Sequence, residues 1–391
     1  FAGAVREERL ATRTGVPGID DGLAWAVART TGAPGPGTPR ARETLDGLWM
    51  VAGALAAGDR DAARTLLEDP PADPAGVLAL AWWVRWTGDT DLVARHRTAA
   101  LSALEEAAGR VAPVRPDAVL EAARDGLAEA LEALGDRATA RRLRDAPPEP
   151  APSVAGPADS GPGGVALPML GRPGGDRGVV RAAVSGPAHP ASPVGSPFLI
   201  EPERPGESGV DRALRAWALF TVGRPDHAYG LLRRHMADGL GNGAGVWPES
   251  GTAGRESLPG DIVAAALVPA VFVHGLLGAR AEAPWGRLRL GPALPARWSS
   301  LEVTGIRVAD ARIGLSYARE QEGHVFTLLQ VAGRVPLTVV FEPAVPGKVH
   351  RVRVDGGSAD LTPERTGGRS RIRLQLPLDA ERRVTLVSAT G

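Results

Sequence analysis

Two glutamates that could do acid–base chemistry lie in one short stretch, "GVWPESGTAGRESLPGD" (245–261). Glu249 follows Trp247 by two positions, and Glu256 stands further along the same stretch. The Gly, Ser and Pro residues around them predict a loop. A loop carboxylate can act as a general base toward water if a second carboxyl group faces it. The same residues also fit a polar connection with no catalytic role.

A second acidic stretch, "RARETLDGLW" (40–49), lies near the beginning of the chain. It places Glu43 and Asp46 between Arg42 and Trp49. Hydrolysis of a glycoside with inversion needs two carboxyl groups about 6.5–9.5 Å apart, one protonated and one ionised. Glu43 or Asp46 could supply the second group. The alternative is an ordinary helix start, in which Thr44 or Asp46 lies near the positive helix end.

Tryptophan is the dominant aromatic residue, with nine Trp beside six Phe and two Tyr. An indole ring is a natural platform for the face of a pyranose. Trp49 and Trp247 adjoin the acidic candidates and are therefore predicted to line a sugar subsite. Trp82, Trp83 and Trp86 lie in an apolar helical pattern and are predicted to be core residues.

Residues 18–144 show helical periodicity, with apolar side chains spaced by three and four. A recurring signature, in which a Gly is followed closely by a capping Asp or Thr, marks the junctions between helices. Its glycines are Gly58, Gly88, Gly135 and, slightly altered, Gly223. The spacing of these glycines along the chain predicts stacked helical hairpins, in an array or a closed ring of about nine or ten helices. In such a ring the connecting loops gather at one end, so an early acid and a late base could face each other.

The helical pattern lapses between residues 146 and 209, where Pro and Gly are dense. A connection of this length is predicted to contain a further hairpin, to cover the mouth of a pocket or to be disordered. After Trp285 the apolar period becomes two, and turn signals separate roughly seven to nine short strands. The predicted organisation is a helical ring over 1–280, with an insertion at 146–209, and an antiparallel β-sandwich over 281–391.

Composition excludes several classes of function. Forty-five basic and forty-five acidic residues cancel, which argues against a nucleic-acid partner. The chain has no Cys and its seven His are scattered, so neither a metal nor another cofactor is predicted. The apolar stretch 262–279 contains a Pro and lacks flanking aromatic or basic residues, so it is predicted to be a buried helix rather than a membrane span. Compartment, whether cytoplasmic or secreted, and oligomeric state stay open.

The order of motifs from about residue 209 to 297 resembles the end of the catalytic ring in the six-hairpin glycosidases. It runs from "TVGRPDHAYGLL" through "GNGAGVWPES" and a buried helix to "VHGLLGARAEAPWGRLRLGPALPARW", and strands follow. The likeness is to the α-L-rhamnosidase and glycogen-debranching-like families. It implies an (α/α)6 toroid followed by a β-sandwich, and a bacterial-type enzyme that acts on a carbohydrate.

The resemblance also implies roles for residues. Trp247 and Glu249 match the Trp and the general-base Glu that precede the penultimate helix of the ring. The stretch with Glu43 and Asp46 resembles the acidic cluster that these families carry on an early loop, so Glu43 is the candidate general acid, with Asp46 as the alternate. The remaining candidates are substrate contacts: Trp247, Trp49, Arg42 and Glu256.

Two other functions fit the same ring. A toroid that has lost catalysis could bind a glycan or serve as a scaffold in an assembly. Lyases and epimerases of uronic sugars also use helical toroids, usually with Tyr and His as the acid–base pair. The chain contains only Tyr229 and Tyr317, which counts against a lyase.

Overall fold

The computed structural model describes residues 9–14, 16, 18–31, 45–109, 118–146, 208–241, 262–366 and 368–388. In these ranges the N-terminal part holds ten α-helices. They are α1 (Ile19–Thr31), α2 (Leu45–Ala56), α3 (Arg60–Leu66), α4 (Pro74–Thr87), α5 (Asp91–Gly109), α6 (Ala118–Leu134), α7 (Arg137–Asp145), α8 (Gly209–Thr221), α9 (Pro225–Gly241) and α10 (Ile262–Ala270). The predicted insertion at 146–209 falls almost entirely outside the described residues.

Buried and amphipathic helices alternate along the chain. Helices α2, α4, α6, α8 and α10 have no exposed position among their described residues, whereas α1, α3, α5, α7 and α9 each expose one face. Contacts join α8 to α10, α10 to α2, α2 to α4 and α4 to α6. The buried helices therefore form an inner layer, and each amphipathic helix lies outside it with its apolar stripe turned inward.

The predicted Gly signature forms the turns from inner to outer helices. Gly58, Gly88, Gly135 and Gly223 all have positive φ, between 73° and 95°. Asp59 and Asp136 follow two of these glycines and cap the next helix by accepting from Ala62 N and Thr139 N. Each inner helix thus reverses direction through a tight turn, and successive inner helices run in the same direction.

Helix α10 is buried from Val263 to Ala270, as the sequence predicts. Pro269 lies inside it, and the helix continues as a π-helical turn over Val271–Leu276. A proline removes one i→i−4 hydrogen bond and crowds the preceding turn, which accounts for a change of helical register here. Among the residues described, no helix is long and apolar enough to cross a membrane.

The second part of the chain is built from short strands. They are β2 (Arg280–Glu282), β3 (Arg287–Leu290), β4 (Ser300–Val308), β5 (Ala311–Glu320), β6 (Gly323–Ala332), β7 (Thr338–Phe341), β8 (Ala344–Pro346), β9 (Val349–Val354), β10 (Gly357–Ala359), β11 (Glu364–Thr366), β12 (Arg369–Arg371), β13 (Leu374–Pro377) and β14 (Arg382–Ser388). These thirteen described strands exceed the seven to nine predicted, because five of them are only three residues long, too short for an apolar period of two to mark them in the sequence.

The strands form sheets of seven, three and four strands, in the orders β1-β4-β5-β6-β14-β9-β10, β11-β12-β8 and β13-β7-β3-β2. Strand β1 (Ala11–Arg13) comes from the beginning of the chain and pairs with β4. All strand pairs are antiparallel except β3 with β7. Phe326 of the seven-stranded sheet packs edge-on against Phe341 of the four-stranded sheet, with ring centroids 5.3 Å apart. This contact lies in the core between the two layers of a sandwich.

The sandwich lies against the carboxyl ends of the inner helices. The amide of Ala309, in the β4–β5 turn, donates to the Trp86 carbonyl oxygen near the end of α4. The amide of Leu10, just before β1, donates to the Ala57 carbonyl oxygen at the end of α2. The opposite end of the inner layer, where the inner helices begin, is therefore free of these sandwich contacts.

Candidate functional site

Most of the predicted site residues lie outside the described part of the chain. This is the case for five of the seven: Arg42, Glu43, Trp247, Glu249 and Glu256. Arg42 and Glu43 immediately precede α2, whereas the other three belong to the segment that connects α9 to α10. Asp46 and Trp49 are described, and both lie on α2.

Asp46 lies half-buried in the first turn of α2, which is the position expected of an ordinary helix start as well as of an acid at the ring mouth. Trp49, one turn further on, is only 1% exposed. Its ring meets Trp217 of α8 edge-on with centroids 6.0 Å apart. Trp49 therefore packs in the interior of the ring, and a role in a sugar subsite stays a prediction.

An aromatic cluster fills the space between the inner helices toward their carboxyl ends. His274, in the π-helical turn, stacks on Trp217 with centroids 5.4 Å apart and meets Trp82 and Trp86 edge-on at 4.7 and 5.2 Å. The three Trp come from α4 and α8, so the cluster ties together three inner helices. The structure thus confirms that Trp82 and Trp86 are buried, and it adds His274 and Trp217 to their surroundings.

Burial controls the charge of the interior histidines. Burial lowers the pKa of His274 and of His235 to about 4, from 6.5. Both rings are therefore neutral at pH 7. His235, on α9, is fully buried, and its Nε2 lies 3.0 Å from the Ala264 carbonyl oxygen of α10. The neutral ring donates this hydrogen bond and joins an outer helix to an inner one.

We expect His235 to make the folded state less stable in mild acid. Its pKa is about 4 in the folded protein, below the ordinary value of 6.5 that a solvated histidine keeps in the unfolded chain, so the unfolded chain takes up the proton first as the pH falls. The contribution of His235 to the free energy of unfolding is complete above the unfolded-state pKa of 6.5 and is lost as the pH falls toward the folded-state pKa of about 4. Between about pH 7 and pH 5 the loss amounts to about 2 kcal/mol.

Urea unfolding of wild type and His235→Gln at the two pH values measures this effect. The glutamine keeps a donor amide without a titrating ring, so the variant should lose less stability on acidification than wild type. The matched control is His350→Gln, since His350 is exposed on β9. Equal acid sensitivity of wild type and His235→Gln would contradict the prediction.

The inner helices begin at the end of the ring away from the sandwich, since the sandwich contacts lie near their carboxyl ends. Segments 32–44, 110–117 and 242–261 lead into α2, α6 and α10, and the shorter 67–73 leads into α4. The described inner helices are parallel, so their amino ends lie at the same end of the ring. In the sequence, Glu43 stands two positions before α2 and Glu249 stands thirteen positions before α10.

Helices α2 and α10 are in unusually close contact. A Cβ atom added to Gly53 of α2 would lie 2.3 Å from the Ala266 carbonyl oxygen and 2.7 Å from the Ala266 Cβ of α10. Only glycine permits this approach. The two helices that follow the candidate acid and the candidate base are therefore direct neighbours.

A cavity that the sequence did not predict lies at the other end, between the inner helices and the sandwich. Its volume is about 320 Å³. Trp82, Trp86, Trp217 and His274 form one wall, and the β2–β3 hairpin with Trp285 forms another. These residues are far apart in sequence. The one signal that could have predicted their proximity is that they lie near the carboxyl ends of parallel helices. No cluster of His, Asp and Glu suited to a metal ion occurs among the residues that the structure describes.

Comparison with solved structures gives the fold relatives. The α-L-rhamnosidase of Dictyoglumus thermophilum aligns with a TM-score of 0.63 and 13% identity, over 98% of this chain and 51% of that one. The Streptomyces avermitilis α-L-rhamnosidase complexed with L-rhamnose aligns with a TM-score of 0.63 and 14% identity, over 97% of this chain and 42% of that one. The chain has the fold of the six-hairpin glycosidases.

A third solved structure, the GH78 family rhamnosidase of Bacillus sp. GL1, aligns with a TM-score of 0.53 and 13% identity over 80% of this chain and 40% of that one. The prediction of an α/α toroid followed by a β-sandwich is confirmed. The chain spans about half the length of the rhamnosidases that it matches, or less. No family model matches the sequence, and no curated protein matches it.

Proposed function

We propose that this six-hairpin glycosidase fold hydrolyses a glycosidic bond in an oligo- or polysaccharide with inversion at the anomeric carbon. Glu249 acts as the general base, and Glu43 acts as the general acid with Asp46 as the alternate. The observation that carries the proposal is the pairing of α2 and α10. The segments bearing the two carboxylates lead into adjacent, parallel inner helices that touch at Gly53 and Ala266.

The chemistry requires a protonated carboxyl group on the leaving-group side and an ionised one that activates water on the other side. We propose that the segments leading into these neighbouring helices hold their carboxyl groups about 6.5–9.5 Å apart, with room for that water. Trp247, two residues before Glu249, would offer an apolar face to the sugar. Arg42 would donate hydrogen bonds to the sugar hydroxyl groups, and Glu256 would accept hydrogen bonds from them.

The activity is tested with a panel of aryl glycosides that includes an aryl α-L-rhamnoside, because the fold relatives are α-L-rhamnosidases. Hydrolysis is followed by release of the phenol, and NMR of the first sugar product gives its anomeric configuration. Inversion is expected. Retention would reject the proposed use of Glu249 as a base toward water, and no hydrolysis of any glycoside would favour the glycan-binding or scaffold alternative.

The general acid is identified by its dependence on the leaving group. Glu43→Gln is expected to lower kcat by about 10²- to 10⁴-fold on a phenyl glycoside, whose leaving group needs a proton, and far less on a 2,4-dinitrophenyl glycoside. Asp46→Asn is the matched comparison, since it removes a carboxylate three positions further along the chain. If the dependence on leaving group appears in Asp46→Asn instead, Asp46 is the acid and the assignment of Glu43 is wrong.

A further inference from the structure

The cavity at the sandwich end of the ring, which we call the junction cavity, has the composition of a ligand site. Its aromatic wall comes from the carboxyl-terminal turns of α4 and α8 and from the π-helical turn, and its rim comes from α6, α7 and the β2–β3 hairpin. A volume of about 320 Å³ is at the small end of the range for ligand pockets, about 300–1,000 Å³. It suits one or two sugar rings.

The described lining of the junction cavity includes none of the proposed catalytic residues. The candidate acid and base precede the amino ends of inner helices, whereas the cavity is lined by their carboxyl ends. Helix α4 has 14 residues, and at 1.5 Å per residue its two ends are roughly 20 Å apart.

The charges around the junction cavity favour an anionic ligand. Its lining contains five Arg and three Glu: Arg85, Arg144, Arg280, Arg287, Arg289, Glu129, Glu132 and Glu282. With neutral His274, these groups leave an excess of two positive charges. The excess is concentrated on the β2–β3 hairpin, where Glu282 lies 2.6 Å from Arg287 and 2.8 Å from Arg289.

Glu282 aligns the guanidinium groups while neutralising only one of them. Arg85 is in turn held by Glu129, to which its Nε donates at 2.8 Å. Guanidinium groups positioned in this way are well suited to bind a carboxylate through two parallel hydrogen bonds.

Trp285 adds an apolar face beside these charges. It ends the short 3₁₀ turn Ala283–Trp285 between β2 and β3 and is 43% exposed. No other described Trp is among the exposed large apolar residues. An exposed indole next to charged hydrogen-bonding groups is the combination that binds a sugar ring, since the ring packs on the apolar face while its polar groups reach the charges.

We propose that the junction cavity binds a saccharide unit that carries a carboxylate, a hexuronate, at a site separate from the proposed catalytic end. Trp285 packs against the sugar ring, and Arg287 with Arg289 binds the carboxylate. Because the β2–β3 hairpin links the last inner helix to the sandwich, the bound sugar contacts both parts of the protein. A polysaccharide that contains hexuronate units could thus be bound at the junction cavity while the proposed catalytic end hydrolyses it.

Isothermal titration calorimetry of the full chain with D-glucuronate tests this site, with D-glucose and benzoate as probes that lack the carboxylate or the sugar. D-glucuronate is expected to bind at least about tenfold more tightly than either. Higher salt should weaken its binding, because the attraction is partly between exposed charges. Equal affinity for D-glucose would overturn the role of the carboxylate, and equal affinity for benzoate would overturn the assignment to a sugar.

Three variants test whether D-glucuronate binds in the junction cavity. Trp285→Ala and Arg287→Gln each change a partly exposed side chain of the hairpin and should lower D-glucuronate affinity by about tenfold or more. The matched control is Arg365→Gln, which removes the same charge from an exposed position on β11 away from the cavity. Wild-type affinity in both hairpin variants, or no binding of D-glucuronate by wild type, would overturn the proposal. Glu249→Gln should bind D-glucuronate like wild type, which separates this site from catalysis.

Discussion

Replacing Glu249 by Gln is expected to lower kcat/KM by about 10³-fold on any glycoside that the chain hydrolyses, because a positioned general base contributes about 10²- to 10⁴-fold. Gln keeps the size and hydrogen-bonding reach of Glu but cannot accept a proton from water. The loss should appear equally with good and poor leaving groups, since the base acts on water. This independence distinguishes the Glu249 variant from the Glu43 variant.

Glu256→Gln is the matched control, since it makes the same change in the same segment seven residues further on. It should change kcat/KM by much less than the Glu249 variant, through altered contacts with sugar hydroxyl groups. Steady-state kinetics on the most reactive glycoside of the panel measures both. If Glu249→Gln is as active as wild type, or if Glu256→Gln shows the larger loss, Glu249 is not the base.

Replacing Gly53 by Ala is expected to destabilise the fold by about 3 kcal/mol, the upper part of the usual range for an overpacked core. The added Cβ would lie 2.3 Å from the backbone oxygen of Ala266, so the buried helices α2 and α10 would have to separate. Alanine otherwise favours a helix by about 1 kcal/mol over glycine. A net loss of stability in Gly53→Ala would therefore have to come from the close contact between α2 and α10.

Gly230→Ala is the control for helix propensity. Gly230 lies inside α9, and a Cβ there would have no neighbour within 4 Å. This variant should be as stable as wild type or gain up to about 1 kcal/mol. Urea unfolding gives both free energies. Equal stability of Gly53→Ala and wild type would show that α2 and α10 do not approach as closely as the structure has them.

The Gly53 variant also bears on catalysis. The segments that carry Glu43 and Glu249 lead into the two helices that Gly53 holds together. If the helices separate, the candidate acid and base separate with them, and displacement of reacting groups by about 1 Å can cost about 10²-fold in rate. Any hydrolysis that survives in folded Gly53→Ala should therefore be slower, whereas Gly230→Ala should retain the wild-type rate.

Local signals in the sequence are enough to predict the hairpins and the change to strands. Helical spacing of apolar residues marks amphipathic helices, and a Gly followed by a capping Asp marks the turns, as at Gly58 with Asp59 and Gly135 with Asp136. Both depend on neighbours within a few residues, so they can be read without knowing the fold. The predicted number of strands is too low because a three-residue strand such as β8 or β10 depends on its partner strand rather than on its own alternation.

The sequence by itself thus determined the classes of structure and their order, whereas the roles of Glu43, Asp46 and Glu249 stay predictions. Only the tertiary structure decided which tryptophans are accessible. Trp49 is buried against Trp217, while Trp285, which in the sequence marks only the start of the strand region, is exposed beside three arginines. A helix buried on all sides has no periodicity to show which of its faces borders a cavity. The junction cavity forms only where the carboxyl ends of parallel helices meet the β2–β3 hairpin, and that meeting joins residues about 200 positions apart in the chain.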